Sequence, residues 1–137
     1  MLFRSLIFYR RANQHGPKES VYLRSPTSAP ETLRDSLSLA YGQAGRVQKQ
    51  RKLFLVGRTR IHLDRVTGLG DFLELEVVLQ EHEPCEIGVR EAHELMARLG
   101  VGPSQLIDCA YVDLLADSAS KVLHQTLGSQ PRRPRSP

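Results

Sequence analysis

With 137 residues the chain is long enough for one domain with a modest core and too short for two ordinary ones. Hydrophobic residues at 40% and charged residues at 25% point to the soluble globular class. The formal charge of +4 favours anionic partners without choosing among nucleic acid, nucleotides and phosphates. Part of that excess is Arg132, Arg133 and Arg135, set among prolines at the end of the chain. Cys85 and Cys109 lack metal-type spacing, so free thiols in an intracellular chain are expected. No apolar run is long enough to span a bilayer. The opening MLFRSLIFYRR is basic and apolar, which leaves a mitochondrial address as the alternative to a cytoplasmic one.

Taken in chain order, Phe3 to Arg11 reads as a strand, because aromatic and aliphatic residues are bounded by charges. A turn containing Gly16-Pro17 leads to a second strand over Lys18 to Arg24. Ser28 as a cap and Pro30 as a first helical residue predict a helix over Glu31 to Tyr41, with Leu33, Leu37 and Ala40 on its inner face and Gly42 as its stop. Three strands follow, over Arg46 to Val56, Arg58 to Val66 and Asp71 to Gln80, separated by Gly57 and by the turn at residues 67–70. Residues 81–89 read as an acidic loop around Pro84. Arg90 to Leu99 reads as a helix with Leu95, Met96 and Leu99 inward, stopped by Gly100. A short Pro-started helix opens residues 102–115, which end in an apolar stretch containing Tyr111, read as a packing residue. From Asp117 onward the composition predicts loss of order.

Side chains alternate across a strand, so each strand divides into two faces. One face carries Arg58, Arg60, His62 and Asp64, and the other Thr59, Ile61 and Leu63. Glu74 and Glu76 share a face, opposite Leu73, Leu75, Val77 and Leu79. Lys49 and Arg51 share a face of the strand before. The plain alternative is a sheet whose charged side meets bulk water while its aliphatic side packs beneath helices. Against it stands the Glu-x-Glu pair, whose like charges repel unless a cation intervenes. Carboxylates on a rigid sheet suit Mg2+ or Mn2+, and arginines beside them supply planar forks for phosphate oxygens. His62, between Arg60 and Asp64, is a candidate base or, more commonly for a histidine beside a carboxylate, a hydrogen-bonding orienter. The strands lack interleaved exposed aromatics for base stacking, which argues against nucleic acid.

Residues 49–79, KQRKLFLVGRTRIHLDRVTGLGDFLELEVVL, resemble the CYTH (triphosphate-tunnel) superfamily and its class IV adenylate cyclase-like branch. YRRANQHGPKESVY and LIDCAYVDLL extend the likeness over about residues 5 to 115. The resemblance implies an α+β fold, an antiparallel β-barrel or tunnel with flanking helices, over residues 1–116, and composition makes 117–137 a disordered basic, Pro-rich tail. It implies a triphosphate-containing small molecule as ligand, bound with Mg2+ or Mn2+, and hydrolysis or adenylate cyclisation as the reaction. By motif, Asp64, Glu74 and Glu76 match the metal-binding carboxylates. Arg60 matches the tunnel arginine, and Arg11, Lys18, Lys49 and Arg51 match basic positions on other tunnel strands. The family's opening Glu-x-Glu-x-Lys strand and a following Lys-x-Arg strand have no counterpart, since the first acid is Glu19. Arg10 and Asn13 depart from acidic positions. The barrel is therefore expected to be incomplete, with Met1 part-way through the domain and weak or absent turnover. The alternative expectation is a non-catalytic module that associates through open strand edges.

Overall fold

The computed structural model describes residues 4–127. In chain order the elements are β1 (Ser5–Arg11), β2 (Ser20–Pro26), α1 (Pro30–Tyr41), β3 (Lys49–Val56), β4 (Thr59–Val66), β5 (Gly70–Val77), α2 (Cys85–Leu99), a single 3-10 turn (Pro103–Gln105) and α3 (Tyr111–Leu127). The strands form two antiparallel sheets, β1-β2 and β3-β4-β5, which do not join into a closed barrel among the described residues. The α+β class and the antiparallel pairing are as expected. The helix α3 continues past Asp117, where the sequence suggested that order ends, and the rest of the expected tail, residues 128–137, lies outside the described residues.

The three-stranded sheet is a meander held in register by its turns. Val56 pairs with Thr59, so Gly57 and Arg58 form a two-residue loop, and Gly57 takes φ +59° as tight hairpin loops require. Arg58 therefore belongs to the turn and not to the face of Arg60, His62 and Asp64 where strand alternation placed it. Its guanidinium instead binds Glu83 (2.6 Å) and Glu91 (2.9 Å), and Thr59 donates to the other Glu91 oxygen (2.5 Å). These bonds fasten the β3–β4 turn to α2.

The helix α2 starts at Cys85, earlier than the Arg90 expected, because Pro84 caps its N-terminus instead of sitting inside a loop. Gly88 allows its close approach to the sheet: a Cβ there would lie 2.8 Å from Leu79 Cδ2. The buried side of α2 is Gly88, Ala92 and Leu95, whereas Leu99, expected inward, is 44% exposed. Gly100 (φ +71°) ends the helix, and the Val101 N–H returns to the Met96 carbonyl.

The hydrophobic core is small and centred on β4, where Ile61 and Val66 are buried along with Ala92 and Leu95 of α2. Only the Ile61 end of the aliphatic sheet face is covered. Leu63 and Leu73, expected beneath helices, remain about 40% exposed. Every residue of β3 is exposed. In α1, Leu33 and Leu37 are half-buried but Ala40 is exposed. Its N-cap is Ala29 and makes no side-chain capping bond. Ser28 therefore does not cap it; the Thr27 hydroxyl accepts from the Ala29 N–H instead. The strand β2 begins at Ser20, which leaves Lys18 in the loop before it. No helix among the described residues is long and apolar enough to cross a membrane.

Candidate functional site

Antiparallel register turns the alternation along each strand into a grid. Asp64 on β4 lies opposite Arg51 on one side and Phe72 on the other. His62 lies between Leu53 and Glu74, and Arg60 between Leu55 and Glu76. Lys49, Arg51, Arg60, His62, Asp64, Glu74 and Glu76 consequently share one face of one rigid sheet. With His62 neutral, its three cations and three carboxylates balance.

Asp64 is the centre of the grid, and its side chain is 0% exposed. Oδ1 accepts from Arg51 Nε (2.6 Å). Oδ2 accepts from Arg51 Nη2 (2.6 Å), Lys49 Nζ (2.9 Å) and the Tyr111 hydroxyl (3.1 Å). Burial alone would push the Asp64 carboxyl up; the hydrogen bonds and charges of Arg51 and Lys49 overturn that and hold it well below the usual carboxylate range. The Asp64 hydrogen bond likewise dominates at Arg51, whose guanidinium is held more firmly protonated.

Arg51 Nη2 also reaches Glu74 Oε2 (2.5 Å), so one guanidinium bridges two carboxylates. Arg60 Nη1 meets Glu76 Oε2 at 3.3 Å. His62 sits between the two glutamates, with Nδ1 3.4 Å from Glu74 Oε2 and Nε2 3.9 Å from Glu76 Oε2. Its side chain is only 9% exposed, and Nδ1 is a buried nitrogen without a hydrogen bond.

Tyr111 closes the Asp64 end of the face. Its ring packs against Phe72 (centroids 4.9 Å apart), and Lys49 Nζ lies 5.0 Å from the ring centroid. Burial, reinforced by the Asp64 charge and hydrogen bond, pushes the phenol up and keeps it protonated. The glycines beneath this corner allow the approach. A Cβ on Gly45 would meet Val112 Cγ2 at 2.6 Å, and one on Gly68 would meet Leu115 Cδ2 at 3.3 Å. Sequence reasoning read Tyr111 as packing alone. The signal missed was a hydroxyl inside an apolar stretch, which needs a partner once buried.

The predicted set thus divides. Lys49, Arg51, Arg60, His62, Asp64, Glu74 and Glu76 come together on the sheet. Arg11 and Lys18 instead line a separate cleft of about 510 Å³ with Arg10, Gln14 and Glu19. Lys18 Nζ is held by the carbonyls of Gln14 (2.9 Å) and Asp108 (3.1 Å). Burial and the neighbouring Arg11 charge lower its pKa.

The fit to a divalent ion is partial. Among the described residues no three His, Cys, Asp or Glu side chains gather as a metal-holding group. Both Asp64 oxygens are already committed to cations. Glu74 and Glu76 are 46% and 32% exposed, and each accepts its bonds at Oε2, leaving Oε1 for an incoming ion. These two glutamates and the unpaired His62 nitrogen are the donors that fit.

The sequence model of the CYTH domain matches residues 7–111. The chain belongs to the CYTH family. It is 28% identical over 100 residues to a protein named adenylate cyclase CyaB from Aeromonas hydrophila, in agreement with the adenylate cyclase-like branch. That alignment covers 73% of this chain and 51% of the relative, so the chain spans about half the length of the curated protein it matches. Two solved structures share the CYTH chain's fold. A Pyrococcus horikoshii OT3 protein superposes with TM-score 0.68 at 21% identity, covering 81% of this chain and 67% of that one. A conserved hypothetical protein from Pyrococcus furiosus superposes with TM-score 0.67 at 16% identity, covering 80% and 67%.

Proposed function

We propose that the charged face of the β3-β4-β5 sheet binds the triphosphate group of a small molecule or nucleotide together with Mg2+ or Mn2+, as part of a triphosphate-hydrolysing or nucleotide-cyclising site. One observation carries this reading: cations and carboxylates are interleaved on the same rigid face, with Arg51 bridging Asp64 and Glu74. A purely basic face would suit phosphate alone, and a purely acidic one metal alone. Membership of the CYTH family and the likeness to adenylate cyclase CyaB support the same reading.

In this reading Arg60, Arg51 and Lys49 hold phosphate oxygens through charge-assisted hydrogen bonds. Glu74 and Glu76 hold the ion through their open oxygens. Asp64 holds Arg51 and Lys49 aimed through its hydrogen bonds, which fixes phosphate donors before ligand arrives. The ion, when bound, polarises the phosphoryl oxygens and offsets charge on the leaving phosphate. Arg11 and Lys18 add a second basic cluster for the far end of a long anion.

The residues present are expected to bind more than they turn over, because this sequence contains no Glu-x-Glu-x-Lys strand to add further carboxylates and a lysine. Calorimetry with tripolyphosphate, with and without Mn2+, is the test. Binding that strengthens with Mn2+ and weakens at least tenfold in Arg60→Ala is expected, about 1.4 kcal/mol. Binding indifferent to both ends the proposal. Phosphate release assayed alongside separates binding from turnover.

A second reading rests on the edge strand β3, whose eight residues are all exposed, with Leu53 at 54% and Leu55 at 67%. Such an edge pairs with another strand unless it is blunted, so a non-catalytic module associating through it is the alternative. Light scattering across a concentration series distinguishes the two; a monomer throughout removes the second.

A further inference from the structure

The charged face contains one polar atom that its own chemistry does not explain. His62 Nδ1 is buried, 3.4 Å from Glu74 Oε2, and makes no hydrogen bond. A buried ring nitrogen left without a partner is destabilising, and a sheet this exposed has easy alternatives in solvent. The position persists because β4 is the central strand and the pairing His62↔Glu74 fixes the ring beside the glutamate.

We infer that His62 is a nitrogen ligand, acting with Glu74 to hold a divalent ion of the borderline class that accepts imidazole. This goes beyond the metal reading above and rests on it, since that reading needs only glutamate oxygens. Three observations point the same way. First, two ligand atoms each about 2.1 Å from one ion stand about 3.0–3.4 Å apart at octahedral to tetrahedral angles, and Nδ1 and Oε2 are 3.4 Å apart. Second, the other ring nitrogen, Nε2, faces Glu76 Oε2 at 3.9 Å. That is longer than a hydrogen bond, but a small ring shift on ion binding would bring this carboxylate behind the second nitrogen, where it fixes the tautomer of a metal-bound histidine. Third, Arg51 can release Glu74 without being stranded, because it keeps two bonds to Asp64. This arrangement places Glu76 behind the ring instead of on the ion, and the remaining coordination positions fall to Glu74 Oε1, water and phosphate oxygens.

A nitrogen donor changes which ion the site prefers. Imidazole suits Co2+ and Zn2+, whereas Mg2+ demands oxygen. His62 is therefore a specificity-determining residue: it tilts the face away from Mg2+.

The test needs no turnover. The whole chain, labelled with 15N at histidine, is titrated with Zn2+ and separately with Mg2+ at neutral pH, with His62→Gln supplying the assignment. Zn2+ is expected to move the His62 Nδ1 resonance while Nε2 keeps its proton, and Mg2+ to leave both in place. By calorimetry, His62→Gln is expected to weaken Co2+ binding at least about tenfold while changing Mg2+ binding by less than about twofold. Glu74→Gln is expected to weaken both. If Glu74→Gln weakens binding but the His62 nitrogens do not move, the inference is overturned and the carboxylate reading survives. If no ion binds, or binding ignores Glu74→Gln, both fall. If a variant does not fold, the His62 ring signals are assigned on the unaltered chain by through-bond correlation to its backbone, so the titration still decides the matter.

Discussion

The β3-β4-β5 sheet and the β1-β2 hairpin are both antiparallel, yet they bury their side chains to opposite extents. In the three-stranded sheet charge is buried: His62 and Asp64 on the central strand are enclosed, while Leu53 and Leu55 on the edge strand of the same face, and Leu63 on the other face, are open. In the hairpin nothing is buried. Leu6, Ile7, Phe8 and Tyr9 on β1 and Val21, Tyr22 and Leu23 on β2 are all exposed, and Arg11 and Lys18 lie at the end of the ribbon. The difference comes from what each sheet has to pack against. The three-stranded sheet has Tyr111 over one face and α2 on the other, whereas the strands of the hairpin pair chiefly with each other. Burial of charge here follows from interlocking partners, since Asp64 alone gathers a lysine, an arginine and a phenol.

The largest effect expected from that contrast is at Asp64. Asp64→Ala leaves Lys49 and Arg51 facing each other across a gap and should cost roughly 3 kcal/mol, the range for breaking one side of a buried charge cluster, read as a lower urea midpoint with an unchanged slope. An unchanged midpoint would make the charged face no better anchored than the hairpin. Acid should act through the same residue. Its folded pKa is depressed, so the stability it contributes is complete above the unfolded value of about 3.9 and drains away as pH falls further toward the folded one. Wild type should lose stability below pH 4 more steeply than Asp64→Asn; parallel curves would mean that Asp64 is not held as described. Tyr111→Phe keeps the ring against Phe72 and removes one hydrogen bond, an expected loss of about 1 kcal/mol by the same denaturation measurement. The smallest effect belongs to the hairpin. Phe8→Ser, opposite Leu23 and 61% exposed, should change stability by less than about 0.5 kcal/mol. A larger loss would show that this ribbon is covered in solution and would erase the contrast.

The grid itself was readable from alternation. Arg60, His62 and Asp64 occupy every second position, as do Glu74 and Glu76, and two short turns leave one register in which they meet. Arg58 was misplaced because the tight loop consumed it, a matter of one residue that alternation alone does not fix. The start of α2 was missed because Pro84 reads equally as a loop residue and as a helix opener. What no local pattern reveals is which face is enclosed. That depends on Tyr111, 47 positions from Asp64 in sequence, and on glycines at 45 and 68 small enough to let α3 approach. The tie of Lys18 to the Asp108 carbonyl, 90 positions away, is hidden from local pattern for a related reason.

The stretch from Asp108 to Tyr111 is pinned at both ends, by Lys18 at its first carbonyl and by Asp64 at its last hydroxyl. Two basic clusters that share no side chain are thereby fastened to the same short piece of backbone.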